Sequence, residues 1–402
     1  MTRDRGLPPA IVLGVDGSIG LTVVRELGAH GVPVIAAGRS RWSIGGHSRY
    51  ARQHVLRPQG AALADWLPGV VAASGAGAVI PISEADLLEL ADMPPAIGDC
   101  RIASPRHEQL DLVLDKLNTL ARARETGIEV PDTWQPLAGQ DFAAKAADIA
   151  YPVVLKWSDP PAMWARLEAA GVAFEKAERA DGAEALVAIL RRYDPLGVYP
   201  LVQSWCQGYG FGQMLMMEGG RATLRFQHER LREYPASGGI STLCRSVPLS
   251  DHRAQMEKSE ALLRAIGWEG PAMVEYRHDA ASGRYWLMEV NGRLWGSLPL
   301  ASQSGAHFAF ALYRRLVDGV AGQLALGYRD HRARYVLPDT KRLFGQLRAK
   351  ELSAGEKLRE MTTYAADFFR FDTGYYVAKF SDPMPTLADL AGIIARLLGS
   401  GS

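Results

Sequence analysis

The 402-residue sequence predicts a chain of α/β and α+β segments with a mostly helical C-terminal extension. Three observations carry this. Over the first hundred residues, apolar strand-like runs alternate with segments of helical spacing. From about 150 to 290, short β-rich runs follow one another across polar turns. Beyond about 325 the pattern becomes mostly helical.

Residues 10–14 form a buried-strand run, residues 18–30 have helical spacing, and residues 32–37 form a second strand. Residues 77–81 (GAVIP) and 101–103 add two more, so βαβ units and a parallel sheet are expected over 1–110. The first strand meets its helix through Gly14-Val15-Asp16-Gly17-Ser18-Ile19-Gly20. This spacing is GxxGxxG, not the GxGxxG of a dinucleotide fingerprint. The second strand is followed by Gly38-Arg39-Ser40-Arg41 rather than an acid. A tight structural turn or a substrate-side helix terminus is favoured, and an NADP site through Arg39 stays open.

A helix is expected over 111–127, then an extended segment through Pro131. Residues 151–157 (YPVVLKW) form a β-rich run, with 174–177 able to pair back against it across a loop from 158 to 171. A helix at 183–193 and a strand at 199–205 follow. Further strands are expected at 212–217, 222–229, 272–277 and 285–290, and a helix at 251–266. The divisions are 1–110, 111–200, 201–325 and 326–402.

The bulk numbers exclude several function classes. With 48% apolar and 22% charged residues the chain has the balance of an ordinary globular protein. Its net charge of +1 and lack of a basic block disfavour a nucleic-acid partner. Cys100, Cys206 and Cys244 lie far apart without metal spacing, which fits a reduced compartment. No stretch reaches a membrane span, and the N-terminal apolar run is too short for a secretion signal, so a cytoplasmic chain is expected.

Residues 270–299 are the most informative segment. Two strands joined by a polar turn each hold one acid, Glu275 and Glu289, and Asn291 follows Glu289 on the same strand face. Two carboxylates and an amide oxygen make a hard all-oxygen site of the kind magnesium prefers beside nucleotide phosphates. Lys116 and Lys156 are the candidate phosphate cations, Lys156 because it closes an apolar strand. In RFQHERLREYPASGGIS, Arg225, His228, Arg230 and Arg232 precede a loop containing Ser237, Gly238 and Gly239. That cluster suits a triphosphate tail or a substrate carboxylate, and equally a solvated hairpin.

In chain order these segments resemble the ATP-grasp superfamily, and among its members the carboxylate–amine ligases. The resemblance covers about 10–325, through GVDGSIG, DKLNTLARARETGIEVPDTW, YPVVLKW, LVQSWCQGYGFG, HERLREYPASGGIS and AMVEY…WLMEVNGRLWG. It implies a pre-ATP-grasp parallel α/β domain and a two-lobed module holding ATP between its lobes. Lys116 and Lys156 match the phosphate lysines; Gln203, Ser204 and Trp205 match the adenine hinge. Glu275, Glu289 and Asn291 match the magnesium ligands, and Arg293 a residue contacting the phosphate or acyl phosphate. The expected cofactors are ATP and Mg2+; the expected partners are a small-molecule carboxylate and an amine. Arg293, Arg230 and His228 are the catalytic candidates, and Arg225 with Ser237–Gly239 contributes to the nucleotide site.

The chain departs from the pattern in three places. Gln203 stands where a hinge glutamate is usual, and Gly208-Tyr209-Gly210-Phe211-Gly212 lacks the ribose acid. The 158–171 segment, usually glycine-rich, holds Pro160, Pro161 and one glycine, so the 237–239 loop is expected to cover more of the site. Trp157, Trp164, Tyr209 and Trp295 either favour an aromatic substrate or simply pack. The tail from about 325 is open to three readings: a lid, a homodimer contact or a brace. Kinase, carboxylase and non-catalytic nucleotide-binding functions are the alternatives to a ligase.

Overall fold

The computed structural model describes residues 6–175, 177–235, 239–319 and 327–398. The chain forms two compact units. The first comprises Met1–Leu110, Phe211–Met273 and Asn291–Ser402; the second comprises Asp111–Gly210 and Val274–Val290.

The first unit opens with a six-stranded sheet. Its strands are β1 (Ala10–Leu13), β2 (Val34–Gly38), β3 (Ala51–Leu56), β4 (Ala78–Pro81), β5 (Ala96–Ile97) and β6 (Cys100–Ile102), in the order β3-β2-β1-β4-β6-β5. All pairings are parallel except that of β5 with β6. β1, β2 and β4 are buried along their whole length, which is why they read as continuous apolar runs. The glycine turn after β1 is a packed corner. Gly14 has a φ of +82°, and a Cβ on Gly20 would lie 2.6 Å from both the Gly14 carbonyl oxygen and the Val15 Cα. The Asp16 carboxylate accepts from the Arg39 amide at 3.0 Å and the Ser43 hydroxyl at 2.5 Å. The Arg39 guanidinium is paired with Asp86 at 3.0 Å, so the arginine on which an NADP reading depends already has a carboxylate partner.

The second unit holds an antiparallel four-stranded sheet. It contains β7 (Thr133–Trp134), β8 (Val153–Lys156), β9 (Glu178–Ala180) and β10 (Leu201–Ser204), in the order β7-β10-β8-β9. Two expectations are corrected here. The strand pairing back on β8 is β9, with Val153 opposite Ala180; of the expected 174–177, residue 176 lies outside the described residues and the other three are not in a strand. Phe174 instead lies on Trp164, ring centroids 4.9 Å apart. The expected loop at 158–171 is largely a helix, Pro160–Ala169. Prolines at its start misled the sequence reading, because the first helical turn has no amide that needs an intrahelical partner. Met163 and Leu167, four apart, then bury one face.

The remaining strands are β11 (Tyr209–Glu218), β12 (Arg221–Tyr234), β13 (Ile240–Ser246), β14 (Gly270–Asp279), β15 (Arg284–Asn291), β16 (Arg332–Arg334) and β17 (Thr373–Tyr375). They form a sheet ordered β15-β14-β11-β12-β13-β16-β17. The helix Arg253–Ile266 precedes β14 and buries Met256, Leu262, Leu263 and Ile266. No helix among the described residues is long and apolar enough to cross a membrane.

The tail holds the helices Val336–Arg348, Ala354–Ala366 and Met384–Leu397, and the first two are tied to the sheet by a buried charge network. Asp339, fully buried, accepts from Arg334 at 2.8 Å, Arg232 at 3.0 Å and Arg342 at 3.2 Å. Arg232 also meets Asp367 at 2.6 Å, and the Arg334 guanidinium lies over the Tyr364 and Phe368 rings at 4.1 and 4.2 Å. These contacts hold this segment of the tail to the sheet of the first unit. Removing the shared acid by Asp339→Ala leaves three buried guanidinium groups short of a partner. We expect a loss of about 3–5 kcal/mol in urea unfolding; a loss below about 1 kcal/mol would contradict the network's role.

Candidate functional site

The second unit gathers the phosphate-end residues. Lys156 closes β8, and burial pushes its ammonium below the ordinary lysine range. The Glu289 and Glu275 carboxylates oppose that shift, while the Lys116 and Arg277 charges add to it. Five charged side chains from four elements therefore share one local field. Glu275, Arg277 and Asp279 form the partly open face of β14, whereas Val274, Tyr276 and His278 are buried. Alternation along the strand sets that division.

Lys116 and Lys156 are also linked through their neighbours. Asp115 breaks the expected 111–127 helix into His107–Leu114 and Lys116–Glu125 and caps the second, accepting from the Leu117 amide at 2.8 Å. Its carboxylate also accepts from Ser158, two residues past Lys156, at 2.8 Å. One acid thus fixes the start of the Lys116 helix against the loop leaving β8. The β14–β15 hairpin is tied in turn to the extended segment before Pro131, where Arg284 meets Glu129 at 2.7 Å and the Leu287 amide donates to the Glu129 carbonyl at 2.9 Å.

Gln203 lies opposite Val154 on β10, so it shares the sheet face of Lys156. It is buried and donates to the Thr133 hydroxyl at 3.1 Å. The Ser204 and Trp205 amides donate to the Asp132 and Pro152 carbonyls at 2.9 and 3.1 Å. These two amides are therefore spent within the unit, and a nucleobase would have to read other groups of this segment.

Asn291 and Arg293 lie in the first unit. Asn291 ends β15, two residues past Glu289. Arg293 pairs with Glu84 at 2.9 Å, at the start of the helix that follows β4. Glu84 was missed in the sequence, since nothing links it to Arg293 except the fold. Among the described residues no three His, Cys, Asp or Glu side chains group as a metal site. The magnesium reading rests on Glu275, Glu289 and the Asn291 amide.

The base cluster is dispersed by the structure. Arg225 pairs with Glu260 on the helix Arg253–Ile266 at 2.6 Å, and Gln227 on the same strand face donates to the Pro248 carbonyl at 2.5 Å. His228 points the other way, fully buried, with Nε2 2.7 Å from the Ser297 hydroxyl. Burial first, and then the Arg230 charge, push its imidazole down to about 3, so it is neutral and walled off from solvent. Arg230 pairs with Glu233 at 3.0 Å and donates to the Gly239 carbonyl at 3.1 Å, while Arg232 belongs to the tail network. Gly239 packs tightly, with a Cβ there 2.2 Å from the Tyr234 carbonyl oxygen. Ser237 and Gly238 lie outside the described residues, as does the expectation that their loop covers the site. Trp157 and Trp295 pack against Tyr193 and Phe308, centroids 5.0 and 4.8 Å apart, and the Tyr209 hydroxyl meets His278 at 2.8 Å.

A profile of the carbamoyl-phosphate synthase L chain, ATP binding domain, matches residues 244–314. No curated protein matches the chain. Its structure is similar to an ADP complex of N5-carboxyaminoimidazole ribonucleotide synthetase, at 13% identity and TM-score 0.63, over 92% of this chain and 99% of that one. It is similar to L-amino acid ligase from Bacillus licheniformis, at 16% identity and TM-score 0.57, over 78% of this chain and 75% of that one. A third likeness is to pyruvate carboxylase from Rhizobium etli, at 16% identity and TM-score 0.59 over 81% of this chain, which spans only 30% of that chain's length. The likenesses show the ATP-grasp fold, as the sequence predicts.

His228 supplies a pH test of the site's interior. Its folded value of about 3 lies below the ordinary 6.5, so the unfolded chain binds more protons between them. Its contribution is fully present above 6.5 and is lost as pH falls towards 3. His228→Gln should therefore lose about 2 kcal/mol less than the parent between pH 7.5 and 5.0 in urea unfolding. Equal losses would place the imidazole in solvent.

Proposed function

We propose that the chain is an ATP- and magnesium-dependent carboxylate–amine ligase, working through an acyl phosphate. The observation that carries this is the shared field of Lys156, Lys116, Arg277, Glu275 and Glu289 in the second unit. An ammonium held beside two carboxylates, with further cations around it, suits a polyphosphate bound together with a divalent ion. Glu275, Glu289 and Asn291 offer only oxygen donors, as magnesium requires; when bound, the ion would neutralise phosphate charge. Lys116 and Lys156 would hold phosphate oxygens as point charges.

In the first step a carboxylate oxygen attacks the γ-phosphorus, the bond to the β-phosphate oxygen breaks, and ADP leaves with that electron pair. In the second an amine attacks the acyl carbon, phosphate leaves with the C–O pair, and the amine gives up a proton. Arg293 is the residue assigned to charge on the transferring group, and Glu84 holds its guanidinium until an anion competes. Arg230, His228 and Arg225 are assigned positions in the sheet rather than steps in the reaction. Gln203 faces Thr133 and leaves its carbonyl oxygen for a nucleobase amino group. The likeness to a ligase chain supports an amine acceptor; the likeness to a biotin carboxylase domain in complex with MgADP and bicarbonate supports a second reading with bicarbonate as the carboxylate.

Phosphate release from ATP and magnesium, screened across carboxylate and amine pairs, separates these readings. A ligase releases phosphate only when both substrates are present; release with bicarbonate and no carboxylate favours the second reading, and ADP without free phosphate favours a kinase. Glu289→Gln should lower the rate by at least about 100-fold, with the far-ultraviolet spectrum unchanged. Full retention of activity would sink the metal assignment.

A further inference from the structure

The first unit contains a cleft of about 710 Å³, open to solvent, between the carboxyl ends of β4 and β6 and the turns flanking β14 and β15. Its volume suits a small organic molecule, and ligands in open parallel sheets collect at the carboxyl ends of strands. The wall holds four guanidinium groups, those of Arg101, Arg106, Arg293 and Arg315, against the two acids Glu269 and Asp318. Both acids are already committed, Glu269 to Arg315 at 2.5 Å and Asp318 to Arg314. Arg293 is held by Glu84 outside the lining. Arg101 and Arg106, both exposed, have no carboxylate partner among the described residues. The rest of the wall is largely apolar, including Leu87, Trp268, Leu312 and Leu316.

We propose that this cleft binds the carboxylate substrate, and that this substrate is a small dianion: a carboxylate joined through a short apolar carbon chain to a second anionic group. The reacting carboxylate lies towards Arg293, and the second anion is neutralised by Arg101 and Arg106. Two guanidinium groups without a carboxylate partner give that end of the cleft a positive field, which favours an anionic group there over a neutral one. The buried Gln109 fixes the wall beside Arg106: its side-chain oxygen accepts from the Arg106 amide at 3.2 Å, and its amide nitrogen donates to the Gly267 carbonyl. The inference rests on the ligase reading only in taking Arg293 as the reacting end.

The test is calorimetric titration of the full chain at fixed ionic strength with glutarate, 3-phosphonopropionate, butyrate and glutaramide. At least one dianion should bind ten-fold or more tighter than butyrate and glutaramide, and which dianion binds better distinguishes a second carboxylate from a phosphate-type group. Arg101→Ala combined with Arg106→Ala, both at exposed positions, should erase that preference while leaving the affinity for ADP with magnesium unchanged. Binding of butyrate or glutaramide as tight as that of the dianions, failure of both dianions to bind, or a preference surviving in the double variant would overturn the proposal. Nucleotide titration of the same samples keeps the two readings apart. A dianion preference without nucleotide binding leaves the cleft assignment standing and removes the ligase.

Discussion

The half-buried Lys156, whose ammonium is partly desolvated, is the constraint around which the second unit is arranged. Desolvation alone would drive it towards the neutral form, and a neutral lysine is a poor partner for phosphate. The Glu289 and Glu275 carboxylates counter that pressure, so the acids proposed for the metal also favour the charged form of the lysine. The same coupling makes the acids depend on the lysine, since two carboxylates in one field repel without a cation. The β8–β10 register fixes Lys156 opposite Leu201, and the Asp115–Ser158 contact holds the start of the Lys116 helix against the residues that follow Lys156.

The first unit uses charge differently. Asp339 gathers Arg232, Arg334 and Arg342 inside the first unit, and the Tyr364 and Phe368 rings lie against the Arg334 guanidinium. Breaking such a network is costly, although the network itself is weak evidence of net stabilisation. It joins β12 to the tail and commits Arg232 to structure. Arg225 is likewise committed by Glu260, and His228 by burial against Ser297. Four basic residues within eight positions of one strand thus serve four different neighbourhoods. Strand alternation and the bulges after Arg230 separate them.

Where local pattern and tertiary demand agree, the fold is legible in the sequence. β1, β2 and β4 are continuous apolar runs because both their faces are covered, and β14 alternates from Val274 onward because one face carries Glu275, Arg277 and Asp279. The helix Pro160–Ala169 was hidden by prolines that sit where a helix tolerates them. The partners of Arg225, Arg232 and Arg293 lie 35 to more than 200 residues away, and no spacing rule reaches that far. Asp115 was the one cue available and unused: an acid immediately before Lys116 is a helix cap, and its second bond to Ser158 follows once the cap places it.

The central claim is that Glu275 and Glu289 join a magnesium ion to nucleotide phosphates beside Lys156. The most direct measurement is the affinity of ADP with and without magnesium, for the parent and for Glu275→Gln combined with Glu289→Gln. Magnesium should tighten ADP binding at least ten-fold in the parent and have no effect in the double variant. An equal magnesium effect in both proteins would contradict it.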